Sequence, residues 1–113
     1  MKQGEIWRLS LDPTVGAEMR KTRPVIVVSD DAIGRLPLKV VVPVTDWSDR
    51  YTHAPWMIRL NASASSGLTK PSAADCFQLR SVSDARFLKR IGRLDAATMD
   101  GVRTAMAIVL SIR

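Results

Sequence analysis

Two stretches decide how this chain folds: Pro24-Val25-Ile26-Val27-Val28 and Val40-Val41-Val42-Pro43-Val44. Both are β-branched almost throughout. Two heavy substituents on Cβ stiffen χ1 and fit a pleated strand better than a helix. A short run with no polar alternation reads as a strand central to its sheet. Pro43 has no N–H to give to a ladder, which predicts a strand edge or a bulge at that point.

The elements on either side follow from these two strands. Upstream, Trp7, Leu9 and Leu11 share one face and Arg8 and Ser10 the other, the period-2 pattern of a half-buried strand. Asp12-Pro13-Thr14-Val15-Gly16 ends it with turn chemistry, and a charged loop from Glu18 to Arg23 leads into Pro24. Downstream, a polar loop from Asp46 to Pro55 precedes a short strand expected to turn Trp56, Ile58 and Leu60 inward. Asn61 to Ser72 is rich in Ser, Ala and Gly and is expected to be a mobile loop. Phe77 and Leu79 alternate with Gln78 and Arg80 as another strand, and Phe87 to Leu94 suggests one more. Asp95 is placed to cap a helix, along which Met99, Val102, Met106, Val109 and Leu110 recur at near-helical spacing. The expectation is a mainly β protein: about six short strands forming a small β-barrel, packed against one C-terminal helix.

The chain has 113 residues, enough for one compact domain over 1–113 and too few for two. Seventeen Lys and Arg against eleven Asp and Glu leave a net charge of +6. Such an excess favours polyanions, although a solvated basic surface without a ligand has the same composition. No run approaches the length of a membrane span, and Met1-Lys2-Gln3-Gly4-Glu5 lacks the apolar run of a signal peptide. Cys76 has no second cysteine to pair with, which fits a reducing compartment and a cytoplasmic protein.

Chemistry has few places to sit. One His and one Cys without His-x-x-x-His or Cys-x-x-Cys make no zinc arrangement, so no metal ligand or cofactor is expected. No phosphate-binding glycine loop occurs. His53 has Ser and Asp residues to pair with but no nucleophile elbow, and its polar loop suits a surface or substrate-contacting residue better than a general base. Lys21, Arg23 and Thr45 border the two central strands, where a rigid scaffold holds them while their tips stay exposed. Arg offers a permanently charged planar fork for a phosphate, and Thr a neutral hydroxyl donor. A surface charge and a strand-end hydroxyl would look the same at this level.

Gly4-Glu5-Ile6-Trp7, Leu11-Asp12-Pro13, Gly16-x-Glu18 and Lys21-Thr22-Arg23-Pro24-Val25-Ile26-Val27-Val28-Ser29 together resemble the N-terminal signature of the MazF/PemK toxins. The resemblance continues in Val42-Pro43-Val44-Thr45, Gly67-Leu68-x-Lys70-Pro71-Ser72, Asp75 to Val82 and Ile91-Gly92-x-Leu94, covering nearly the whole chain in order. It implies an SH3-like barrel of the MazF/PemK/CcdB kind. It also implies a homodimer that cuts single-stranded RNA such as mRNA, silenced by a MazE-like antitoxin whose disordered tail lies over the RNA groove. Carried over by position, Arg23 and Thr45 would be catalytic, and Glu18, Lys21, Gln78 and Arg80 would hold RNA. The implied reaction is metal-independent attack of the ribose 2′-OH on its own 3′-phosphate, leaving a 2′,3′-cyclic phosphate and a 5′-OH.

Many members carry an acidic residue just before the Gln, where this chain has Phe77, and the loop from Trp47 to Pro55 matches no common pattern. Both departures leave the cleavage sequence open. Trp47 is a candidate stacking surface as well as a candidate core or dimer residue. Two other functions share the fold class: an SH3-like nucleic-acid-binding module without catalysis, and a CcdB-like toxin that binds gyrase. A pure protein binder has no use for the Lys21-x-Arg23-Pro24 element.

Overall fold

The computed structural model describes residues 1–113. Seven strands precede one helix: β1 (Glu5–Ser10), β2 (Thr22–Val27), β3 (Leu38–Asp46), β4 (Met57–Leu60), β5 (Ser72–Asp75), β6 (Arg80–Ser83), β7 (Phe87–Arg93) and α1 (Ala96–Leu110). Every ladder is antiparallel. The strands run β4-β5-β3-β2-β1-β7, with β6 also paired to β3. No ladder joins β4 to β7, so the sheet is not closed, and its form is that of a partly open barrel.

β2 and β3 are central, and the reason is visible in which face each side chain buries. Ile26, Val42 and Val44 enter the main core with Ile6, Leu60, Ala74, Cys76, Met99, Val102 and Ala105. Val25 and Val41 enter a second, smaller cluster with Leu9, Leu11 and Val82. Both faces of the sheet centre are thus covered, which a strand with polar alternation could not tolerate. β1 is likewise apolar on both faces: Leu9 joins the smaller cluster, while Ile6 is fully buried in the main one.

β3 is not an edge strand. Its first half (Leu38–Val41) pairs with β6 and its last residues (Val44–Asp46) pair with β5. Pro43 falls in the gap between these partners while lying opposite Val25 of β2. The missing N–H therefore sits where that edge has no ladder to support.

Three further expectations are corrected. Phe77 to Arg80 is not one strand, because Cys76–Gln78 forms a 3-10 turn. The Asp75 carboxylate accepts the Phe77 N–H at 3.1 Å, a local bond that competes with strand geometry. Trp56 precedes β4 and is exposed, leaving Ile58 and Leu60 to face the core. The Ser-rich loop after β4 is built rather than loose: Ser63 Oγ accepts the Ser66 N–H at 3.0 Å, and the Arg93 N–H donates to the Ser65 carbonyl at 2.9 Å.

The helix starts where expected, with Asp95 accepting the Thr98 N–H at 2.7 Å. Met99, Val102 and Ala105 are buried and Met106 packs beside them, but Ile108, Leu110 and Ile112 lie exposed beyond the barrel's reach.

Candidate functional site

The loop from Leu11 to Lys21 must turn the chain back into β2, and Lys21 makes the turn with φ at 70°, a value only a few per cent of non-glycine residues adopt. Its N–H donates to Asp12 Oδ1 at 3.0 Å, and its carbonyl accepts the Leu11 N–H at 2.9 Å. Those bonds aim Lys21, Thr22 and Arg23 into a cleft of about 360 Å³ that Thr45 also lines. The β2–β3 register explains the meeting: Val25 lies opposite Pro43, and two residues further along each strand come Arg23 and Thr45 on the same face.

Arg23 is half-buried, and only its Nε is bound, donating to the Arg20 carbonyl at 3.1 Å. Both terminal nitrogens stay free for an oxyanion. The Thr45 hydroxyl makes no hydrogen bond within the protein. Arg8 and Lys70 line the same cleft, so four cationic side chains (Arg8, Lys21, Arg23, Lys70) face one carboxylate, Asp46. Lys70 and Asp46 pair at 3.0 Å across the mouth, both mostly exposed, so the pair is readily opened.

The other three residues named from sequence gather elsewhere. Glu18, Gln78 and Arg80 line a neighbouring cavity of about 430 Å³ with Leu11, Met19, Pro43, Phe77 and Leu79. The six candidates thus divide three and three between adjoining hollows. Glu18 holds the Val15 N–H at 2.7 Å and does not line the Arg23–Thr45 cleft. Gln78 pins the first loop to the 3-10 turn: its Oε1 accepts the Met19 N–H at 2.7 Å and its Nε2 donates to Asp75 Oδ2 at 3.3 Å. Arg80 has no hydrogen-bonded or ion-paired protein partner.

Burial raises the Asp75 carboxyl above its ordinary range, against the hydrogen bonds from Phe77 and Gln78 that favour the charged form. Burial, with the neighbouring Asp75 charge, also pushes the Cys76 thiol up to about 12, which leaves no thiolate to serve as a nucleophile. His53 lies in the exposed 3-10 turn Asp49–His53 and lines neither hollow. One face of Trp47 carries the Arg59 guanidinium at 5.2 Å, and Tyr51 packs against the ring in a T-shaped arrangement. No three His, Cys, Asp or Glu side chains converge on a point that could hold a metal ion. No helix is long and apolar enough to cross a membrane.

Sequence reasoning assigned no role to Arg8, Lys70 or Asp46. Arg8 carried a readable signal, since it sits on the polar face of β1 and pairs with Pro24 beside Arg23. Lys70 and Asp46 meet only through the β3–β5 pairing.

These features define the protein as a small antiparallel β-sheet domain with a cationic cleft at its central strand ends. The sequence model for a "PemK-like, MazF-like toxin of type II toxin-antitoxin system" matches residues 2–110. Endoribonuclease MazF9 of Mycobacterium tuberculosis is 34% identical, the match covering 99% of this chain and 98% of that protein. Endoribonuclease PemK of Escherichia coli is 35% identical over 98% of this chain and 83% of its own length. The crystal structure of MazF from Deinococcus radiodurans shares the fold with a TM-score of 0.82 at 23% identity, covering 99% of this chain and 97% of that one. The chain belongs to the PemK-like, MazF-like toxins of type II toxin–antitoxin systems.

Proposed function

We infer that residues 1–113 act as one toxin domain, a cytoplasmic endoribonuclease that cuts single-stranded RNA at short sequences and is silenced by a cognate antitoxin. The observation that carries this reading is the meeting of Arg23, with its terminal nitrogens free, and the unpartnered Thr45 hydroxyl in one cationic cleft. Two relatives over 30% identical are named endoribonucleases. Among proteins of the same fold is an endoribonuclease in complex with its cognate antitoxin from a mycobacterial species.

The nucleophile is the substrate's own 2′-OH. It attacks the adjacent phosphorus, the bond to the 5′-oxygen breaks, and the products are a 2′,3′-cyclic phosphate and a 5′-OH. The 2′-OH gives its proton to solvent water and the departing 5′-oxygen takes one from solvent water, so the two transfers balance. The protein's main task is then positioning and charge stabilisation. Arg23 donates to the non-bridging oxygens as charge builds on the phosphorane, and Thr45 donates a further hydrogen bond. Lys21, Arg8 and Lys70 hold flanking phosphates. Arg23 does not serve as the acid, because guanidinium pKa values lie far above neutrality. Glu18, lining the neighbouring cavity, contacts a base rather than moving the 2′-OH proton. Single strands are preferred because their unstacked bases can be splayed and read.

Purified protein incubated with long single-stranded RNA in EDTA tests the reading. Fragments ending in 2′,3′-cyclic phosphate are expected, with DNA of the same sequence left whole. Intact RNA, or cleavage that needs added metal, would overturn it.

A further inference from the structure

Asp12 lies outside both hollows, yet its side chain reaches Arg23 through a single peptide unit. That unit, joining Arg20 to Lys21, carries the Lys21 N–H at one end and the Arg20 carbonyl at the other. The N–H donates to Asp12 Oδ1 at 3.0 Å, and the carbonyl accepts the Arg23 Nε–H at 3.1 Å. A trans peptide unit is planar, with its N–H and C=O pointing in opposite directions, so a carboxylate that fixes one end also aims the other. The Arg23 guanidinium is planar as well, and the bond at Nε sets the orientation of the whole fork.

Released, this peptide unit would have reason to turn. Lys21 sits at φ 70°, a conformation that residues with a Cβ seldom adopt. Arg20 and Lys21 are exposed, so no core packing holds them. Asp12 itself has a firm base. Arg86, in the 3-10 turn before β7, donates through Nη1 to the carbonyls of Ser10 at 3.1 Å and Asp12 at 2.6 Å. On the other side of Arg20, the Met19 N–H is held by Gln78, so Arg20 is bracketed by two side-chain acceptors from distant parts of the chain.

Resting on the ribonuclease reading, we propose that Asp12 is a positioning residue for RNA cleavage. It holds the Arg20–Lys21 peptide so that the Arg20 carbonyl orients the Arg23 guanidinium in the cleft it shares with Thr45. Asp12 touches no substrate and acts only through Arg23. What the clamp uses is an acceptor oxygen, not the negative charge.

Exchange of the Arg23 Nε–H with water, followed by NMR on the free protein, reads the clamp without any substrate. It should be slower than at the exposed Arg35, and the protection should disappear in Asp12→Ala. In RNA cleavage, Asp12→Ala should lower kcat by about a hundredfold, the scale for a reacting group misplaced by about an ångström. KM should hold, because Arg23 keeps its charge in the cleft. Asp12→Asn should restore both rate and protection, since its side-chain oxygen still accepts the Lys21 N–H. Arg23→Lys has no Nε for the Arg20 carbonyl to hold, so adding Asp12→Ala to it should lower the rate little further. An unprotected Nε–H in the wild type overturns the proposal and needs no variant to fold. So does a second full loss of rate in the Arg23→Lys background, or an Asp12→Asn variant that stays as slow as Asp12→Ala. A protected Nε–H in a protein that leaves RNA uncut would keep the clamp on Arg23 and overturn the ribonuclease reading. RNA cleavage with the Nε–H unprotected would do the reverse.

Discussion

The Arg23 guanidinium keeps two nitrogens free beside the unpartnered Thr45 hydroxyl, and both groups are open to an incoming ligand. Arg23 and Thr45 are at strand ends and only half-buried, so truncating either opens no core cavity. Arg23→Ala and Thr45→Ala are therefore expected to leave circular dichroism and melting nearly unchanged. Each should lower the RNA cleavage rate by about a hundredfold or more, the scale for losing one transition-state donor. A single-turnover assay under identical conditions measures it, and near-wild-type rates in either folded variant would remove that residue from the reaction. Gln78 behaves differently. Its amide is bound on both sides, to Met19 and Asp75, so it shapes the wall of the cavity before it can touch a ligand. The family resemblance implied contact with RNA at this position, and the engagement with Met19 and Asp75 shows only in the fold.

At the level of elements, the contact between the Ser-rich loop and β7 has no tolerance. A methyl group on Gly92 would run into the Ser66 carbonyl, and one on Gly67 into the Ile91 carbonyl, where φ is also 72°. Backbone atoms cannot swing aside as a flexible side chain can, so the loop itself would have to lift. Gly92→Ala is expected to destabilise the fold by about 3 kcal/mol, at the upper end for overpacking. Urea denaturation measures the loss, and a midpoint unchanged from wild type would mean that the loop yields freely. The Ser, Ala and Gly content that suggested mobility instead permits this close packing. Small residues are what two backbones need in order to touch, and composition alone cannot separate the two uses. The helix was easier to read, because its cap and its spacing are local.

For the whole molecule, the net charge of +6 becomes useful through its distribution. Four cations of the cleft converge from β1, the first loop, β2 and the loop before β5. Binding of a single strand should weaken as salt rises, with a log–log slope of roughly 0.7 per neutralised phosphate. A titration in which affinity stays flat between low and moderate salt would contradict the cleft as the binding surface. The exposed Ile108, Leu110 and Ile112 at the end of α1 point to assembly. Continuing apolar residues past the edge of the barrel is disfavoured in a monomer unless something covers them. We expect a homodimer in which the helix end contributes to a two-fold contact. Sedimentation equilibrium at micromolar concentration decides this, and a clean 12.5 kDa species would reject it.

The sequence by itself determined the strand-rich class, the two central strands and the capped helix. Each of these rests on periodicity, branching or a motif contained in a few adjacent positions. What only the tertiary structure decided depends on partners far apart in the chain. Pro43 could be placed only once β3 was seen to change partners from β6 to β5 beside it. The division of the six candidates between two hollows required the first loop to meet the turn after β5, 59 positions away, through Gln78 and Met19. Phe77 was legible as a departure from its family and as half of an alternating pair with Leu79. That alternation was an accident of composition, because the Asp75 side chain captures the local N–H and turns the backbone before a ladder can form. A period-2 pattern records which side chains would face one way if the backbone were extended, and cannot record whether a hydrogen bond elsewhere keeps it from extending.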